Sequence, residues 1–154
     1  MTDGQLDPIA LMRKINELES KIDALRTITK GWSFIPLTTP LTSTSWDGDA
    51  RSTTAKTKID LSAVFGVPAG VKAVLCNIII RDSGSAANNT FLVLSPNNTS
   101  AEGSQLSCAG LTNDAFARGN LIVPCNGDGD IYYQIFASGA STMDVYILIW
   151  GYWI

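Results

Sequence analysis

Residues 143–154 read Met-Asp-Val-Tyr-Ile-Leu-Ile-Trp-Gly-Tyr-Trp-Ile. β-Branched and aromatic residues crowd this run, which is the composition of a strand. On a period of two, Val145, Ile147 and Ile149 share one face, while Tyr146, Leu148, Trp150, Tyr152 and Ile154 share the other. An antiparallel strand with one face in water alternates apolar with polar. This strand is apolar on both faces. The reading is that one face fills a core and the other, carrying Tyr146, Leu148, Trp150, Tyr152 and Ile154, meets a neighbouring subunit. A strand buried twice within its own fold is the competing reading. On the first reading Tyr132 and Phe136, in the strand before it, extend the intersubunit patch.

The same texture runs upstream. Residues 130–137, 115–123, 104–109, 90–94, 71–81, 55–61 and 32–37 each read as a strand, with a bulge expected at Gly119 and Pro36 confining the first strand to an edge or a bulge. Turns fall between them at 126–130, 138–141, 95–103, 82–89 and 65–70, and residues 38–54 form a Ser/Thr-rich loop or irregular edge. Seven or eight strands at regular spacing, with no second helix, predict a mainly β fold. The expected fold class is an antiparallel β-sandwich (jelly-roll-like) head over residues 31–154.

Before the head the period changes. Leu11, Ile15, Leu18, Ile22 and Leu25 are spaced 4, 3, 4, 3, a heptad seam with Ile at a and Leu at d. Asp7-Pro8 is a helix start, because Asp accepts from free backbone N–H groups and Pro is pre-set at the first helical position. Gly31 supplies a helix stop. Residues 1–30 are therefore read as an attachment arm and one N-terminal coiled-coil α-helix that oligomerises the chain. Lys14 at g attracts Glu19 at e of a parallel neighbour, whereas Lys21 and Arg26 repel. An ordinary amphipathic helix packed on its own head is the alternative. Ile at a with Leu at d favours dimers in isolated parallel coils, so the seam alone does not argue for three strands.

Composition narrows the function. Only 16% of residues are charged against 45% hydrophobic, below the roughly 25% charge of an average soluble domain, and association is one outlet for the excess apolar surface. A net charge of −3 without a Lys/Arg cluster argues against nucleic acid. There is no histidine, hence no common general base and no common metal ligand. Cys76, Cys108 and Cys125 are far apart and odd in number, and are read as reduced, buried thiols, although one pair can still bridge. No apolar run reaches the roughly 18 residues of a membrane span. No leader is visible at the first residues, and a protein made in the cytosol without membrane insertion is expected.

The chemistry-bearing motifs are few. Asn126, Asp128 and Asp130 have the spacing that opens a calcium loop, but Ile131 and Ala137 stand where such a loop needs Gly and Glu, so a hairpin turn explains them more simply. Trp46, Asp47, Asp49, Asn97 and Asn98 lie in loops that suit sugar contacts and equally suit packing or solvent. Serines without a histidine make no ordinary triad, and the aspartates sit at turns. No enzyme, cofactor or metal is expected.

A polar arm, a short heptad stalk at 11–25 and a β head ending in Trp-Gly-Tyr-Trp-Ile together resemble the small fibre, spike and decoration proteins of tailed bacteriophages. The resemblance implies a homotrimer on the virion surface. It would attach to other virion proteins through its N-terminal segment and project a jelly-roll-like head, with a receptor-binding module for a host glycan or surface protein as the alternative role.

Overall fold

The computed structural model describes residues 7–28 and 31–154; the arm at 1–6 and the side chain of Leu25 lie outside the described residues. The chain divides into two compact units, Met1–Ser33 and Phe34–Ile154. In the first, helix α1 spans Pro8–Ile28. The Asp7 carboxylate accepts the Ile9 N–H at 3.0 Å, capping the helix as its side chain predicts. Every residue from 7 to 24 is exposed. Leu11, Ile15, Leu18 and Ile22 are 41–56% exposed, so the apolar seam is open to solvent in the single chain.

The second unit is mainly β. Its elements are β1 (Phe34–Leu41), β2 (Asp49–Arg51), β3 (Thr57–Ile59), α2 (Leu61–Phe65), β4 (Ala73–Asp82), β5 (Phe91–Ser95), β6 (Ser104–Ser107), β7 (Ala117–Pro124), β8 (Ile131–Phe136) and β9 (Met143–Trp153). They form two antiparallel sheets. The first has the order β1-β9-β4-β7, with β2 also on β9; the second has the order β3-β8-β5-β6. The pairs are nested, β1 with β9, β3 with β8, β4 with β7 and β5 with β6. Val74, Cys76, Ile78, Ile80, Val123, Val145, Ile147 and Ile149 of the first sheet share one hydrophobic cluster with Ile59, Leu92, Leu94, Ile131 and Ile135 of the second. Each is at most 3% exposed. At about 1.5–3 kcal/mol for each large apolar side chain fully buried, this shared cluster dominates the stability of the unit.

Strand β9 departs from its simple alternation. Cys76 pairs with Ile149 and Leu75 with Gly151, so Trp150 is an extra residue, a β-bulge. Before it, Val145, Ile147 and Ile149 point inward as expected. After it the phase flips: Tyr152 pairs with inward-facing Val74 and packs against the core, and Trp153 turns outward to meet Phe34 at 4.5 Å between ring centroids. The expectation that Tyr152 shares a face with Tyr146 and Leu148 is therefore corrected. A Cβ on Gly151 would lie 2.5 Å from the Phe34 ring, which leaves glycine as the residue that fits beside the bulge.

Other expectations shift for local reasons. Residues 60–66 hold a short helix rather than a strand end and turn. Asp60 caps it by accepting the Ala63 N–H at 2.9 Å, Gly66 ends it at φ 74°, and Leu61 and Phe65, four apart, drop into the core. No bulge occurs at Gly119, since β4 and β7 stay in unbroken register; the glycine instead leaves room for Leu106 from the other sheet. Pro36 sits on an edge strand that runs on to Leu41. Tyr132 and Phe136 belong to the second sheet, so they do not extend the patch on β9.

Two further features fix the ends of the unit. Between β2 and β3 the chain crosses from one sheet to the other. There the Thr54 hydroxyl accepts the Ile135 N–H and the Thr53 hydroxyl accepts the Ala137 N–H, both at 3.0 Å. At the end of β4, Asp82 is fully buried. Its carboxylate accepts from the backbone N–H of Gly84 (2.8 Å) and Ser138 (3.0 Å), from the Thr142 hydroxyl (3.0 Å) and from the Ser138 hydroxyl. Burial pushes this carboxyl up, but the hydrogen bonds outweigh it and hold it below the usual carboxylate range. With the folded value below the unfolded one of about 3.9, the stabilisation is complete above the unfolded value and fades as pH falls through the folded one. Asp82→Asn should therefore cost about 1–3 kcal/mol near neutral pH. Urea unfolding midpoints should show the gap to wild type narrowing as pH falls through the acid range, and a constant gap would contradict the assignment.

Candidate functional site

The register of the first sheet places its outward side chains in rows. Phe34 and Trp153 lie together at one end, followed by Leu75 beside Ile122. Next come Leu148, Asn77 and Asn120, with the Asn77 amide donating to Asn120 Oδ1 at 2.8 Å. Then follow Tyr146, Ile79 and Arg118, and last Asp144 and Arg81, whose Nε donates to Asp144 Oδ2 at 2.6 Å. Phe116 sits under the guanidinium groups of Arg81 and Arg118, 5.1 and 5.8 Å from its ring centroid, with Tyr146 edge-on at 6.4 Å. The face thus grades from apolar to aromatic and guanidinium-rich, side chains enriched in the buried centres of interfaces.

Exposure separates the two sheets. Phe34 (40%), Phe116 (46%), Ile122 (58%) and Trp150 (39%) stand open on or beside the first sheet, and Ile154 follows its central strand at 56%. No large hydrophobic side chain of the second sheet is comparably exposed. Phe91 and Phe136 stack on each other there at 4.2 Å. Residues 96–103 fold back over its outer face, where the Ala101 N–H donates to Gln134 Oε1 at 2.8 Å. Val93, outward by register beside Gln134, is fully buried.

The loop residues expected to contact a ligand are not brought together. Trp46 is 5% exposed and belongs to the core, edge-on to Tyr133 at 4.4 Å and covered by the Arg51 guanidinium at 3.7 Å. The sugar-contact reading of Trp46 is corrected and the packing reading holds: its ring fills the margin between the sheets. Asp47 and Asp49 are exposed, and Asp49 lies 3.8 Å from Arg51. Asn97 and Asn98 are exposed at the other end of the unit: β8 begins beside Ser95 and ends next to the turn that leads to β9, where Asp49 pairs with Val145. Asp49, Ala50, Arg51, Ser52, Thr54 and Ser141 line a shallow polar depression of about 370 Å³.

The 126–130 turn is occupied by its own backbone. Asn126 Oδ1 accepts from the N–H of Asp128 and Asp130, while the Asp130 carboxylate takes the Leu61 N–H at 3.2 Å and Lys58 Nζ at 3.0 Å. Among the described residues no His, Cys, Asp and Glu group is arranged to hold a metal ion. The cysteines are free; burial pushes the Cys76 thiol up to about 12, which keeps it protonated and unreactive at neutral pH.

Phe34, Leu75, Ile122 and Phe116 were not singled out from sequence. The available signal was the Leu121-Ile122-Val123 run, which is apolar on both faces of its strand in the same way as 145–149. No helix among the described residues is long and apolar enough to cross a membrane. No protein-family model matches the chain, and comparison with curated proteins finds no match. Trp46→Ala should destabilise the head by about 3–5 kcal/mol, read by denaturant unfolding. A change below about 1 kcal/mol would mean the ring is not a core element.

Proposed function

We propose that the chain is a structural virion protein of a tailed bacteriophage, a homotrimeric short fibre or capsid decoration protein. It would attach through its N-terminal segment and expose its β head at the virion surface. The observation that carries this reading is the open heptad seam of α1 joined to a head with a complete core of its own. A stripe of Leu and Ile that narrow is covered when copies of the helix wrap into a parallel coiled coil. The strand order supports a jelly-roll sandwich for the head, because two four-strand paths with nested pairs, outermost with last and innermost between neighbours in sequence, are the pattern of a ribbon folded over itself. In such an assembly the chemistry is binding. Three modest N-terminal contacts on one body add through effective concentration.

A second reading, a receptor-binding tip for a host glycan or surface protein, draws on the polar depression at Asp49–Ser141 and on exposed Asn97 and Asn98. A glycan array probed with the whole protein separates the two; binding to a defined sugar favours the tip.

Sedimentation equilibrium at micromolar concentration should give three chains of 16.5 kDa. A clean monomer ends the structural reading. In Leu18→Asp a charge enters the seam, so circular dichroism should lose helical signal while the protein still sediments above the monomer mass, held by its heads. A monomeric Leu18→Asp would make the helix the sole organiser.

A further inference from the structure

The helix seam explains how copies are held at one end of the chain and leaves open which surface of the head faces its neighbours. We propose that the apolar end of the first sheet's outer face, built from Phe34, Leu75, Ile122, Trp150 and Trp153, is the contact between heads, and that its occupant is the same face of the other copies of this chain, the three faces converging on the axis of the trimer. The inference rests on the oligomeric reading above and deepens it.

Three observations point to this occupant. First, the exposed bulky side chains on the strands of the two sheets all belong to the first, Leu111 in the β6–β7 loop standing apart from both outer faces, while the second is sealed by its stacked phenylalanines and by residues 96–103. A head has one adhesive face. Second, that face opposes no charge to itself at the proposed contact. Its outward ionic groups, Arg81, Asp144 and Arg118, lie at the far end, with Arg81 and Asp144 already paired. Two copies can bring the apolar ends together without burying an unpaired charge, whose desolvation would otherwise oppose association.

Third, chain length delivers the apolar end to its partner. α1 ends at Ile28 and β1 begins at Phe34, which itself belongs to the patch. Six residue steps reach at most about 20 Å, and packed helix axes are about 8–10 Å apart. Bundled helices therefore keep the Phe34 residues of neighbouring copies within roughly 50 Å of each other, an effective concentration near the millimolar range for short linkers. A head contact that forms at micromolar concentration between free molecules is strengthened further under that tether. The bulge at Trp150 is part of the device. Without it Tyr152 would take the outward position and Trp153 would lose its tilted ring contact with Phe34.

The test uses the full chain and two lysine substitutions of equal chemistry. Ile122→Lys lies in the patch, and Gln105→Lys is at an exposed outward position on the second sheet. Both are checked for folding by thermal unfolding; should Ile122→Lys unfold, Ile122→Ser is read in its place. Analytical ultracentrifugation of each in the Leu18→Asp background should show association weakened about 10- to 100-fold by the Ile122 change and unchanged by the Gln105 change. If the wild type is oligomeric and Ile122→Lys associates as well as Gln105→Lys, the face assignment is overturned and the oligomer stands. If Gln105→Lys is the variant that weakens association, the heads meet through the second sheet. A monomeric wild type overturns the oligomeric reading itself.

Discussion

Strand β9 hydrogen-bonds along both of its edges, and the head depends on that arrangement. β4 runs along one side for the whole length of β9, while β2 and then β1 divide the other. The first and last strands of the unit are thereby joined, so the sheet closes only when residues over a hundred positions apart have met. Such non-local pairing delays folding, because the entropy of closing the chain is lost before the contacts return it. It also means that β9 cannot fray from its end without opening both neighbours. Damage to this strand spreads to the core, since Val145, Ile147 and Ile149 supply its centre.

The bulge at Trp150 adds a second consequence. Inserting one residue changes which side chains are inside and which are outside, and it does so within the last few positions of a strand that is apolar on both faces. Nothing in the hydrophobic pattern registers the change, because Trp, Tyr and Ile suit either face. That is why Val145 to Ile149 are legible from sequence by period alone, while Tyr152 and Trp153 exchange the places that period gives them. Gly151 carried the clue, as glycine inside a strand marks a bulge or a close approach.

The same division holds elsewhere. The long strands β4, β7, β8 and β9 and the helix start at Asp7-Pro8 are legible because propensity, period and caps agree there. The five-residue helix after Asp60 was missed because one turn has too few positions for a period to show, although its Asp cap and its glycine stop were both visible. The place of Trp46 was left open between ligand contact and packing for a different reason. Its neighbours are Ser, Thr, Asp and Gly, the composition of an exposed loop, and only the tertiary fold brings Tyr133 and Arg51 to either side of the ring. The outer-face patch draws Phe34, Leu75, Ile122 and Trp150 from four different strands, so no window of sequence contains it.

The crossing between the sheets has an effect on solubility. The hydrogen-bonding edge of β8 is covered by β3 only over Ile131 to Tyr133, and beyond that point Thr53 and Thr54 answer its backbone with their own hydroxyls. A bare edge there would be a template for strand addition by any unfolded chain nearby. The two threonine hydroxyls, with the Thr54 N–H that donates to the Ile135 carbonyl at 3.0 Å, cap the row. Wherever the chain is concentrated, this small plug removes a template for amyloid-like strand addition at an edge that β3 leaves uncovered.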